Sequence, residues 1–208
     1  DTVTVVGGSA SVSEAIELQG ITGYQDAASS YDIVDAASVL AVAGNTEIGD
    51  AGVGEVIASD TATASEGAAI NALTGDATFD VSDSAQAMAD ALSGNASALD
   101  DAETVTVLGG SATVSEAISI QGVSGYQDAA SSYDIVDSAT LIAGSNDGIL
   151  DNSGVADVVA QGQANAVTGA ILNDFTAEIE FNVTDTADNI VGLTENAQTE
   201  LNEALTVT

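Results

Sequence analysis

The triplet Thr-Val-Thr stands at Thr2–Thr4, at Thr104–Thr106 and again at Thr206–Thr208, at intervals of 102 residues. Repetition on this scale limits the fold more than any single motif, because a unit that recurs must pack against copies of itself. The 208 residues divide into a first long unit, 1–103, a second, 104–205, and a remainder, 206–208, that restarts the pattern. TVTVVGGSASVSEAIELQG (Thr2 to Gly20) pairs with TVTVLGGSATVSEAISIQG (Thr104 to Gly122), and YQDAASSYDIVD recurs unchanged at Tyr24–Asp35 and Tyr126–Asp137. Later stretches keep register while losing identity, as ATASEGAAINAL (62–73) does against ANAVTGAILNDF (164–175).

Each long unit divides again. YDIVDAASVLAVA from Tyr31 matches FDVSDSAQAMADAL from Phe79, and the key aspartates Asp35, Asp83, Asp137 and Asp185 follow at spacings of 48, 54 and 48. Val3, Val5, Phe79, Val81, Phe181 and Val183 alternate with polar residues at period two, the mark of half-buried strands. Met88 and Leu92, or Ile190 and Leu193, fall at helical spacing, with Gly20, Gly44, Gly94 and Gly122 where a left-handed helix end is expected. The pattern predicts an α/β fold: a repetitive solenoid of about eight strand-helix modules, each of about 26 residues. One module cannot bury its own apolar side, so stacking supplies the core and leaves both ends of the stack adhesive.

Composition decides what such a stack can do. Hydrophobic residues make up 45% of the chain, enough for a thin core of Ala, Val, Ile and Leu, yet 33 carboxylates stand without a single Lys, Arg or His. A net charge of -33 excludes nucleic acid and anionic lipid as partners and calls for cations from outside. Without Cys or His there is no zinc finger, catalytic thiol or Ser-His-Asp triad. Paired carboxylates alone do not make a glycosidase, and with no Trp to stack a sugar no enzyme is expected. The start at Asp1, without Met or a signal peptide, predicts a chain processed or excised from a longer precursor.

VTDTADNI at Val183–Ile190, with the looser VSDSAQAM (81–88), IVDAASVL (33–40) and IVDSATLI (135–142), resembles the Asp-Thr-Ala repeats of very large secreted bacterial surface proteins. The resemblance implies secretion, attachment at a cell surface and calcium dependence.

Asp35, Asp83, Asp137 and Asp185 precede helix-like runs and are read as helix N-caps, with calcium ligation in a row as the competing reading. The stronger calcium candidates are the acidic loops. Asp147, Asp151 and Asn152 crowd around Gly148, and Glu47 and Asp50 stand in the corresponding loop of the first unit; neither follows EF-hand spacing. Tyr24, Tyr31, Tyr126 and Tyr133 are either contact residues or core fillers. Thr2, Val3, Thr4 and Val5 at one end, and Thr206, Val207 and Thr208 at the other, are assembly strands. The expected function is a structural repeat segment of an extracellular fibre, surface layer or giant adhesin, joined end to end with copies of itself by strand addition. A calcium-dependent adhesive binding module is the alternative.

Overall fold

Runs that alternate Val or Ile with polar side chains become strands, and the Ala-rich runs behind them become helices. The computed structural model describes residues 1–43, 48–73, 76–192, 201 and 204–208. In chain order the first elements are β1 (Val6–Ala10), α1 (Val12–Gln19), β2 (Ser30–Asp35), α2 (Ala37–Leu40), β3 (Val53–Ala58), α3 (Ala64–Asn71), β4 (Asp76–Thr78), β5 (Asp80–Asp83) and α4 (Ala85–Leu92). They are followed by β6 (Thr104–Ala112), α5 (Val114–Gln121), β7 (Ser132–Ser138), α6 (Ala139–Ala143), α7 (Asp147–Leu150), β8 (Val155–Gln161), α8 (Ala166–Asn173), β9 (Ile179–Glu180), β10 (Asn182–Val183), α9 (Ala187–Gly192) and β11 (Thr206–Val207). The fold is α/β with parallel sheets, as the alternation predicts.

Two compact bodies emerge, one of residues 1–83, 90–106 and 123–126, the other of 84–89, 107–122 and 127–208. In the first, β1-β2-β3-β4 form a sheet in sequence order with every pair parallel. In the second, β6 from Val107 onward continues as β6-β7-β8-β9, again parallel and in order, and β10 pairs with β11. Parallel neighbours need a crossover, and the intervening helices supply it.

Register repeats at the same interval as the sequence. Val6 opposes Ser30 and Ala10 opposes Ile33; Leu108 opposes Ser132 and Ala112 opposes Ile135. Between these points both β1 and β6 slip, and the slip is carried by paired glycines: Gly7 and Gly8 have φ of 75° and 87°, Gly109 and Gly110 of 76° and 80°. A side chain at positive φ is strained, which explains the Gly-Gly that follows each TVTV run. Just ahead of the slip, where the facing chain turns through the 3-10 helices Asp26–Ala28 and Asp128–Ala130, a backbone amide finds its acceptor in a hydroxyl. Ser29 Oγ accepts from Val5 N at 3.1 Å, and Ser131 Oγ accepts from Val107 N at 3.0 Å; each serine in turn donates to a backbone carbonyl, of Gln25 and Gln127. These two serines are the buried polar residues among the described ones.

The cores are built of small aliphatics around a few rings. Tyr31 and Tyr133 are buried, and their hydroxyls accept from Gln19 and Gln121 side chains at 3.2 and 2.8 Å. They are core fillers, with the polar tip satisfied as burial requires. Gly20 and Gly122 cap α1 and α5 in right-handed geometry, φ -75° and -79°, so the left-handed end expected there is absent. Gly94 does take positive φ, and Gly44 lies outside the described residues.

Candidate functional site

A helix leaves its first four amides without intrahelical partners. In α1, α3 and α5 two of these are met locally. Ser11, Thr63 and Thr113 accept from the amides of Glu14, Glu66 and Glu116 at 3.3 Å, and the same glutamates reach back to the amides of Ser11, Thr63 and Thr113. This is the capping box. The signal that locates it is the Ser/Thr-x-x-Glu spacing of the sequence, which the adjacent Ser-Glu pairs at 13–14, 65–66 and 115–116 obscure. Accepting the backbone amide and the hydroxyl of Ser11 holds the Glu14 carboxyl below its usual range.

The third amide, at the first helical residue, is met by the aspartate at the end of the next strand. Asp35 Oδ2 accepts from Val12 N at 3.1 Å, and Asp83 Oδ2 from Ala64 N at 3.1 Å. Asp137 Oδ2 accepts from Val114 N and Asp185 Oδ2 from Ala166 N, both at 3.2 Å. The other oxygen turns to the residue one further along: Asp35 Oδ1 to Ala36 N at 2.9 Å, Asp137 to Ser138 N and Asp185 to Thr186 N at 2.7 Å. The N-cap assignment of Asp35, Asp83, Asp137 and Asp185 is thereby corrected. Ala36 and Ser138 hold the N-cap positions of α2 and α6, and Ser84 and Thr186 supply the hydroxyls at the starts of α4 and α9. A strand-end carboxylate stands beside the preceding helix, because neighbouring parallel strands end at the same edge. It therefore ties two modules together. Periodicity within one module could not reveal a partner 19 or 23 residues back. Asp185 also accepts from Asn189 Nδ2 at 2.7 Å, and this bond, with the two amides, depresses its pKa.

Asp60, singled out by no motif, does the same for α2, accepting from Ala37 N at 2.7 Å. Its counterpart in the second unit is Gly162, and there Ser138 caps α6 with its own hydroxyl. Ala36 has no such group.

Three of the calcium candidates accept hydrogen bonds within the protein. Asp147 accepts from Thr176 N at 3.0 Å and from its hydroxyl at 2.8 Å, Asn152 from Gly154 N at 2.9 Å, and Asp50 from Gly52 N at 2.8 Å and the Tyr24 hydroxyl at 3.3 Å. Asp151 is exposed at the end of α7, on a groove shared with Asp157, Glu178 and Glu180. Glu47 lies outside the described residues. Among the described residues no three acidic side chains converge on a point that could hold a metal ion. Burial and the neighbouring Tyr31 push the Tyr24 phenol up to about 12.

The assembly residues occupy one-sided positions. Val3 N donates to Gly23 O and Gln25 N to Val3 O, both at 2.9 Å, while Ser30 N donates to Val5 O; Thr2 and Thr4 are exposed beside them. At the other end Leu205 N donates to Phe181 O, Thr208 N to Val183 O and Asp185 N to Thr208 O, and Thr206–Val207 runs parallel to Asn182–Val183. The internal copy of this strand is bonded on both sides: Glu103 N donates to Phe79 O, and Val105 N to Gly125 O. Exposure follows the same division. Ile21 is 41% exposed and its counterpart Val123 4%; Val207 is 47% and Val105 0%; Val191 is 73% and Ala89 7%. Val5 and Leu18 are half-exposed where Val107 and Ile120 are buried, and Ala187 is exposed where Ala85 is buried.

Among the described residues no helix is long and apolar enough to cross a membrane. Compared with protein-family models, with curated proteins and with solved structures, the chain finds no match.

Proposed function

We propose that this chain is a structural repeat segment of an extracellular bacterial fibre, surface layer or giant adhesin, a repetitive solenoid whose copies join end to end through their terminal strands. The observation that carries this reading is the exposure contrast. Positions that are buried at the internal copy, Val105, Val123 and Ala89, are open at Val207, Ile21 and Val191. An edge strand with an apolar flank is a template for another strand unless it is blocked. Neither end carries the proline or lysine that natural edges use as blocks, since the chain has none of either. The resemblance to Asp-Thr-Ala repeats supports secretion and surface location, and cations, calcium foremost, would offset the charge of -33.

Sedimentation velocity and negative-stain electron microscopy of the full chain, with calcium and with chelator, test the proposal. Filaments or concentration-dependent oligomers are the expected outcome, and dissolution by chelator would assign calcium a part. Monomers at every salt and calcium concentration would sink the self-assembly reading.

A further inference from the structure

We infer that Asn95 is an acceptor for N-linked glycosylation, taking its sugar from a glycosyl diphosphate. Such a modification is independent of the joining proposed above, since it needs only an exposed acceptor.

The acceptor pattern is Asn-x-Ser/Thr with x other than Pro, and the sequence has it at Asn95-Ala96-Ser97 and Asn182-Val183-Thr184. The chemistry explains the pattern. A carboxamide nitrogen is a poor nucleophile, because its lone pair is spread into the carbonyl. An enzyme must therefore reach both that nitrogen and the hydroxyl two residues on, and the whole tripeptide has to be accessible. So short a pattern arises from composition alone, and burial separates its two occurrences.

Asn182–Thr184 is closed. Asn182 and Val183 form β10, and Val183 is fully buried. Asn182 O accepts from Ala164 N at 2.8 Å, and Thr184 N donates to Ala164 O at 2.9 Å, so the tripeptide is held as a strand.

Asn95–Ser97 is open. α4 ends at Leu92, Gly94 turns the chain at φ 87°, and Asn95, Ala96 and Ser97 are all exposed. The loop is held from behind this crest. Ala98 and Leu99 are buried, and Asn71 brackets the turn, its Nδ2 donating to Ser97 O at 3.2 Å and its Oδ1 accepting from Asp101 N at 2.9 Å. Asn95 Oδ1 accepts from Ser97 N at 3.2 Å, an Asx-turn that draws electron density onto the oxygen and leaves the carboxamide N–H more acidic. Among the described residues Asn95 Nδ2 and the Ser97 hydroxyl have no hydrogen-bond partner, so both groups are free for an enzyme. Nor does the repeat call for this tripeptide, since the residues 102 further on read Ala197-Gln198-Thr199. An exposed loop on a fixed scaffold is where such a bulky, hydrated group is tolerated.

In the transfer, Asn95 Nδ2 bonds to the anomeric carbon of the sugar. The anomeric C–O bond breaks, its electron pair leaves on the diphosphate, and one Nδ2 proton passes to a base of the enzyme. Whether a nucleotide or a polyprenyl lipid carries the diphosphate, the chemistry at Asn95 is the same.

Peptide mass spectrometry of the protein recovered from the cells that make it tests this, with cleavage at Asp and Glu because the chain offers trypsin no site. A glycan on Asn95 and none on Asn182 is the expected result. A bare Asn95 overturns the assignment, and a glycan on both overturns selection by burial. In the same cells Ser97→Ala should lose the glycan and Ser97→Thr should keep it. The Ser97 hydroxyl holds nothing in the fold, so loss in Ser97→Ala reports the acceptor pattern, and a glycan surviving there overturns the proposal. Unmodified full chain is then given washed membranes of these cells, or their soluble fraction with UDP-glucose. Transfer by the membranes assigns the lipid carrier, transfer with UDP-glucose assigns the nucleotide, and transfer by neither overturns a glycosyl diphosphate donor.

Discussion

At the scale of single residues, stability here hangs on acceptors more than on charges. Val107 N is paired with one buried hydroxyl, that of Ser131. Ser131→Ala leaves that amide unpaired and should cost about 1–3 kcal/mol in chemical denaturation, more than a comparable change at an exposed serine such as Ser13. Asp137 serves two amides, Val114 and Ser138, so Asp137→Ala should destabilise by a similar amount, about 1–3 kcal/mol. Asp185 adds a dependence on pH. Its folded pKa is depressed by Asn189, Thr186 and Ala166, so its contribution is present at neutral pH and is lost as pH falls through that depressed value. Protection of the Ala166 amide against hydrogen exchange, taken relative to the intrinsic rate at each pH, should fall below the ordinary aspartate range, and Asp185→Asn should flatten that acid dependence. An unchanged profile in the variant would show that another group governs it.

At the scale of elements, the two long units reach one geometry with different chemistry. α2 begins at Ala36, which has no capping side chain, and receives Asp60; α6 begins at Ser138, which caps itself, opposite Gly162. Asp60→Ala should cost about 1 kcal/mol of thermal stability, and adding Ala36→Ser should restore most of it. Non-rescue would place the role of Asp60 elsewhere. This pairing also marks how far the sequence alone can be read. Alternation at Phe79–Val81 and Phe181–Val183 locates strands, and the runs after Asp83 and Asp137 locate helices, because those signals sit within one element. The partner of each aspartate depends on which strand lies beside which, and Asp35 looks like an ordinary N-cap until β2 is laid against β1. Gly7-Gly8 and Gly109-Gly110 are legible as a repeated pair, but their positive φ comes from a register slip that only the sheet reveals.

At the scale of the whole molecule, the carboxylates have no internal counter-charge. Salt weakens proteins that rely on ion pairs, but this chain, with no Lys or Arg, should gain. The screening length falls from about 10 Å at 0.1 M to about 3 Å at 1 M, and each 1 kcal/mol of relieved repulsion should raise the melting temperature by about 2–4 °C. A calorimetric scan in sodium chloride checks this, and a falling Tm would mean that attraction dominates. The strand-end aspartates carry one further consequence, which concerns time. Each carboxylate lies downstream of the amide it serves, by 23 residues for Asp35 and 19 for Asp83. A ribosome makes the amide first, so every such helix start waits for a residue not yet synthesised. These helix starts can acquire their strand-end acceptor only after one further module has been made.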